Sequence, residues 1–175
     1  MSLTDGWVKR LPWLALPAVA LALDLGSKAW ILRTLAADES KVVIPNFFSL
    51  TLGFNPGAIF GSFHNAPTWL RTALFLGAGL LALGYFGYEF LKAETSTLQR
   101  VALGLILGGA LGNGIDRVIH GAVVDFLDFY ARNWHLGFTT IHEWHYWAFN
   151  IADSCIVCGA ALYGIWLWSQ RKKES

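Results

Sequence analysis

Apolar residues fall into four long runs, separated by polar stretches of unequal length. The first, Leu11–Leu32, is broken only by Asp24, Ser27 and Lys28. As a helix it spans about 33 Å, enough for a bilayer. Lys9-Arg10 ahead of it and Ala18-Val19-Ala20 within it resemble a secretory signal and its cleavage site. The apolar character continues past that point, however, so the segment is predicted to be a retained first span. Trp69–Leu91 gives a second span, with Arg71 and Glu89 close enough to its ends to snorkel. A third runs from about Leu98 to Ile115, where Gly104, Gly108 and Gly112 form a small-residue ridge for close helix approach. The fourth is predicted over Tyr146–Trp168.

The intervening segments differ in kind. Lys41–Leu52 is rich in β-branched and aromatic residues, and Asn55-Pro56-Gly57 is a turn signal. A small sheet over about 41–66, lying on the membrane surface, is expected. Phe47, Phe48, Phe54 and Phe60 are then available to dip into the interface. Residues 116–146 are polar and aromatic, and Trp134, Trp144, Tyr146 and Trp147 read as interfacial belt residues. The predicted class is an all-α membrane protein of four transmembrane helices, with an extracytoplasmic β-sheet cradle after helix one.

Composition agrees with this pattern. Hydrophobic residues are 55% and charged ones 14% of the 175-residue chain, against about 25% charged in soluble domains. The net charge of +1 gives no reason to expect a nucleic-acid partner. Four spans put both termini on one side, in segments 1–10, 92–100 and 171–175. These short segments hold seven of the thirteen basic residues, so positive-inside places both termini in the cytoplasm. The 33–71 and 116–146 segments then face outward. Asp153, about seven residues into the fourth span, would lie some 10 Å below that face at helical rise.

Candidate chemistry concentrates in two places. In Gly112–Phe126 (GNGIDRVIHGAVVDF), Asn113, Asp116 and Arg117 share one face of a helix end at i,i+3 and i,i+4 spacing. Asn150-Ile151-Ala152-Asp153-Ser154 opens the last apolar run. Asp125 and Asp153 each sit in apolar sequence, and a lone carboxylate there must be paired, neutralised or facing water. Should they meet across a wet pocket, they cannot both be charged readily, and one keeps a proton. That is an aspartic-protease arrangement: one carboxylate takes a proton from water while its protonated partner polarises a carbonyl. Asn113, Asn150 and Arg117 would hold the carboxylates or steady an oxyanion. The alternative is a polar network between helices with no chemistry. Asp24 and Lys28, at i,i+4, read as a salt bridge or as part of the site. Asn55 reads as a turn residue. Cys155 and Cys158 form C-x-x-C inside an apolar helix and read as small hydrophobes. His142-Glu143-Trp144-His145 falls one residue short of a zinc-protease H-E-x-x-H, and no metal is expected.

Motifs along nearly the whole chain then point to a family. They are D-x-x-S-K (Asp24–Lys28), N-x-G-A-x-F (Asn55–Phe60), G-N-x-x-D-R (Gly112–Arg117), V-V-D-F (Val123–Phe126) and F-N-x-A-D-S (Phe149–Ser154). In these the chain resembles the lipoprotein signal peptidases, or signal peptidase II. The resemblance implies a catalytic dyad of Asp125 and Asp153. It implies supporting roles for Asp24, Asn55, Asn113, Asp116, Arg117 and Asn150, and Lys28 joins them through its motif. It also implies a single membrane-embedded peptidase domain in the bacterial inner membrane, with the active site toward the periplasm and no metal or cofactor. Its substrates would be prolipoproteins, cleaved before a diacylglyceryl cysteine, and globomycin-like cyclic peptides would inhibit it. Membrane lipids are its surroundings, and a monomer is expected. Leu25, Pro56, Ile59 and Gly61 depart from the family pattern, and the segment between Asp125 and Asn150 is longer than the family's norm. Two rival readings are a thiol oxidoreductase using Cys155 and Cys158, and a small transporter moving protons or cations through Asp24, Asp125 and Asp153.

Overall fold

A computed structural model describes residues 11–57, 67–92, 96–135, 137 and 139–174. Lys9, Arg10, Ile59, Phe60 and Gly61 lie outside the described residues. A 3₁₀ turn, Leu11–Leu14, leads into α1, Ala15–Thr34. The other helices are α2, Thr68–Leu91; α3, Thr97–His120; and α4, Ile151–Glu174. All four are long and apolar enough to cross a membrane.

The "all-α" expectation is too narrow. Strands β1, Ser40–Ile44; β2, Phe48–Asn55; β3, Val123–His135; and β4, Thr140–His145 form an antiparallel sheet in the order β1-β2-β3-β4. Half of it therefore comes from the 116–146 segment, which the sequence did not mark as strand. The fourth helix also begins later than expected. Residues 146–149 are extended, and Phe149 exchanges backbone hydrogen bonds with Leu127 at 2.8 and 3.1 Å. Asp153 is thus in the first turn of α4 and not seven residues into it.

α3 is the hub and packs against the other three helices. Its glycine ridge explains how. A Cβ on Gly104 would meet the Leu16 side chain, one on Gly108 would meet Ala20 and the Pro17 carbonyl, and one on Gly112 would lie 2.2 Å from Asp24 Oδ2. The ridge therefore seats the N-terminal half of α1, from Leu16 to Asp24. Gly109 does the same for α4, with the Ala152 carbonyl 2.4 Å from where its Cβ would stand. α3 is capped at its start by Ser96, whose hydroxyl accepts the Gln99 N–H. It stops at Gly121, whose φ of 70° suits a left-handed C-terminal residue. The chain there turns directly into β3. Where the sheet meets α1, Ile31, Leu35, Leu52, Val124 and Phe126 form a buried apolar cluster.

Close helix contact at Gly109 leaves no room for a branched side chain. Gly109→Val is expected to lower stability by about 1–3 kcal/mol through overpacking. Thermal unfolding in detergent checks this, with Gly77→Ala as control, because nothing lies within 4 Å of a Cβ at Gly77.

Candidate functional site

The site is built where the end of α3, the start of α4, α1 and β3 converge. Its foundation is Lys28, 2% exposed, whose ammonium has three donors and three convergent acceptors. They are Asp24 Oδ2 at 2.7 Å, Asp116 Oδ2 at 2.8 Å and Asn113 Oδ1 at 3.1 Å. The i,i+4 pair read from sequence is therefore real but incomplete, since the same cation also ties α1 to α3. Asp24 accepts the Ala152 N–H at 2.9 Å, which joins α4. Asp116 accepts the Val124 N–H at 3.0 Å, which fixes β3 beside the next residue, Asp125.

Asn150 is the N-cap of α4. Its side-chain oxygen accepts the Asp153 N–H at 2.9 Å, while Asp153 Oδ2 accepts the Asn150 N–H at 3.3 Å. This reciprocal capping box fixes both side chains. The Asn150 amide then donates to Asp125 Oδ1 at 2.8 Å, and it also reaches Asn113 Oδ1 and the Val124 carbonyl, each at 3.2 Å. Because Asn113 Oδ1 is held by Lys28 and Asn150, its NH₂ must point the other way. It donates to Asp153 Oδ1 at 2.7 Å. Asn55, at the end of β2, donates to Asp125 Oδ2 at 3.0 Å while its own oxygen accepts the Gly57 N–H at 2.9 Å. The turn role expected for Asn55 and a site role are thus combined in one side chain.

Asp125 and Asp153, 28 residues apart in sequence, are therefore both anchored on Asn150. Burial pushes the Asp125 carboxyl up to about 6; the Asn55 hydrogen bond opposes this and the nearby Asp153 charge adds to it. Asp153 is half-buried and opens onto a cavity of about 950 Å³ between α2, α3 and α4, lined mainly by apolar side chains. Asn113 and Arg117 line its polar end beside Asp153; Asp125 is not among the lining residues.

Arg117, expected to hold the carboxylates or steady an oxyanion, stands at the polar end of the cavity. Its Nη1 donates to the Asn113 carbonyl at 3.0 Å, and its guanidinium lies 5.1 Å from the centre of the Phe75 ring. Phe75 also covers Gly57, where a Cβ would clash at 2.4 Å. Sequence reasoning missed Phe75, since an apolar residue in a span carries no chemical signal, whereas Gly57 is marked there by the turn signal and the N-x-G-A-x-F motif. Cys155 and Cys158 are reduced and, with Cys158 exposed on α4, take no part in the carboxylate cluster. His142 and His145 lie on strand β4, three residues apart and hence on opposite faces.

Four helices apolar enough to cross a bilayer define a multi-pass membrane protein, with two carboxyls gathered on Asn150 at their polar end. The sequence profile described as Signal peptidase (SPase) II matches residues 16–169. A lipoprotein signal peptidase of Chromobacterium violaceum is 40% identical over 157 residues, covering 90% of this chain and 89% of that protein. One from Neisseria meningitidis serogroup C is 43% identical over 161 residues, covering 92% and 87%. Among solved structures, a bacterial membrane enzyme determined by the in meso method at 2.3 Å resolution superposes with a TM-score of 0.74 at 30% identity, over 94% of this chain and 92% of that one. The chain belongs to the signal peptidase II family. It is a protease of the lipoprotein signal peptidase type, and removal of signal peptides from prolipoproteins is the activity the family supports.

Replacing Lys28 would strand two carboxylates in a dry interior. Lys28→Met is expected to cost about 3–5 kcal/mol, the usual penalty for breaking a buried pair. Lys28→Arg is expected not to restore the loss, because a planar fork cannot meet three acceptors arranged around a point charge. Thermal unfolding of both variants is the check.

Proposed function

We propose that this protein is an aspartyl endopeptidase of the bacterial inner membrane. It cuts prolipoproteins immediately before the diacylglyceryl-modified cysteine. The observation that carries this is the shared anchoring of Asp125 and Asp153 on Asn150, at 2.8 and 3.3 Å. Both termini lie in the cytoplasm and the dyad faces the periplasm, as the distribution of basic residues favours. The signal helix enters laterally from the lipid into the apolar cavity, with the scissile bond at its polar end.

The two carboxyls have different surroundings and so take different roles. Asp153, in the first turn of α4, has the helix N-terminus and two N–H donors to support a charge. It is the base that takes a proton from water. Asp125 holds the other proton and donates it as a hydrogen bond to the scissile carbonyl, whose oxygen gains charge as the water oxygen bonds to carbon. Collapse of the tetrahedral intermediate breaks the C–N bond, and the proton taken by Asp153 passes to the leaving amine. Asn113 and Asn150 keep the carboxyls aligned, and the Lys28 cluster keeps Asn113 and β3 in place. The chain acts as a monomer, and a globomycin-like cyclic peptide would inhibit it by filling the polar end of the cavity.

A prolipoprotein cleavage assay in lipid tests this directly. Asp125→Asn and Asp153→Asn are expected to fold and to lose at least about 10³-fold in kcat, as groups acting as a unit do. Cys155→Ala/Cys158→Ala should cleave normally. Robust cleavage by either asparagine variant would end the dyad reading, and loss in the cysteine variant would favour the thiol enzyme.

The dependence on pH follows from Asp125. With its carboxyl at about 6, the protonated form required here is lost as pH rises through that value. kcat/KM should then fall roughly tenfold per unit on the alkaline side. Asn55→Ala removes a hydrogen bond that favours the charged form, so the alkaline fall should move to higher pH, together with a lower maximum. A shift to lower pH in the measured profile would contradict the Asn55–Asp125 contact.

A further inference from the structure

The cavity beside Asp153 has a bottom as well as a polar end. α2 and α4 each pack along α3 with little backbone contact between them, and the cavity lies in the gap. Its top is marked on all three helices. Arg117 of α3 lies over the Phe75 ring of α2, and Asn113 of α3 donates to Asp153 of α4. Below that level the walls are small, with Gly79 and Ala82 on α2 at the same depths as Gly114 and Ala110 on the antiparallel α3.

Large side chains then end it. Phe86 and Ile106, each eleven residues from the Phe75–Arg117 level, are the lowest lining residues of α2 and α3. Tyr163, ten residues beyond Asp153 on α4, bridges the gap there, its ring meeting Phe86 edge-on with centroids 5.8 Å apart. Tyr85 flanks Phe86 at 5.1 Å and Trp166 flanks Tyr163 at 5.2 Å, so four rings close the gap. A Cβ on Gly159 would stand 2.7 Å from the Ala102 carbonyl oxygen and 2.8 Å from Ile106 Cγ1. α4 is thus pressed onto α3 one turn above Tyr163.

Eleven residues of helix measure about 16 Å. An apolar signal helix whose scissile bond lies at the carboxyls therefore meets these rings about eleven residues upstream. Apolar segments of signal peptides range over roughly 7–15 residues, so the limit falls within the range that substrates offer. A helix that ends sooner lets its basic start leave toward the cytoplasm. A longer one must part α2 from α4 or stand above the carboxyls by about 1.5 Å per extra residue. A misplacement of that size costs up to about 10²-fold in rate.

We propose that Phe86 and Tyr163 form the floor of the substrate groove and set the longest apolar signal helix that the enzyme aligns. The inference rests on the proposed function, because it takes a signal helix as the occupant. It adds to that function a specificity determinant about 15 Å from the reacting groups.

Cleavage of a series of diacylglyceryl-modified prolipoproteins by the full-length protein in lipid nanodiscs tests it. Apolar segments of roughly 8 to 17 residues separate a constant basic start from a constant cleavage site. The readout is kcat/KM for each length relative to the best substrate, a ratio that cancels any inactive fraction. In the wild type the ratio is expected to fall about tenfold or more beyond about eleven residues. Phe86→Ala should move the fall to longer segments. Ala82→Phe, which raises the floor by about 6 Å, should move it to segments about four residues shorter. Leu81→Ala, at an exposed α2 position outside the cavity, should leave it in place. A wild-type ratio that stays level to the longest segment would overturn the floor while leaving the proposed function intact. So would one cut-off shared by the wild type, Phe86→Ala and Ala82→Phe. No cleavage at any length would overturn the proposed function and the floor with it.

Discussion

The structure depends on one buried cation. Lys28 sits among Asp24, Asp116 and Asn113, with all three of its protons engaged. A single charge in so dry a place would be prohibitive, and so would either aspartate alone. Only the complete set is tolerable, and completing it requires α1, α3, α4 and β3 to meet at one point. The polar cluster therefore contributes less to net stability than to uniqueness of arrangement, because any other register leaves a charge without its partner. The glycine ridge on α3 is the steric condition for this. With a side chain at Gly112, Asp24 could not come close enough for Lys28 to bridge to Asp116.

From that fixed point the positions of the two carboxyls follow by short covalent steps. Asp116 holds the Val124 N–H, and Asp125 is the next residue. Asp24 holds the Ala152 N–H, and Asp153 is the next residue. Each carboxyl is thus one residue from a backbone group clamped by a buried charge. Asn113 and Asn150 then finish the alignment through amide orientation. A primary amide serves here because it offers a donor and an acceptor without adding charge, so it can link the ionic foundation to the carboxyls above it.

Much of this was legible in the sequence, though unevenly. The four apolar runs, the small-residue ridge and the Asp24–Lys28 pair are local patterns, and local patterns survive into the fold. Asp125 and Asp153 stood out because apolar flanks make an unpartnered carboxylate conspicuous. What escaped was non-local. β3 pairs with β2 across some seventy residues and is read in sequence only as a polar, aromatic stretch. The fourth span is predicted to start too early because Tyr146–Phe149 is apolar, whereas the capping signal Asn150-x-x-Asp153 marks the true start of α4. Phe75 could not be singled out, since nothing in an apolar helix tells which ring will lie over a glycine in a distant turn.

The attachment of α2 has a consequence for access. None of the residues around Lys28 lies on α2, and among the described elements α2 packs principally against α3. Among its links at the polar end, Phe75 lies over Gly57 and beneath Arg117. These are van der Waals and cation–π contacts, each far weaker than a buried ion pair. The hydrogen bonds that hold Asp125 and Asp153 come from Asn55, Asn113 and Asn150, none of which lies on α2. The proposed cleavage of an apolar signal helix suits this division, in which the carboxyls are fixed by α1, α3, α4 and the sheet while α2 supplies an apolar wall of the cavity.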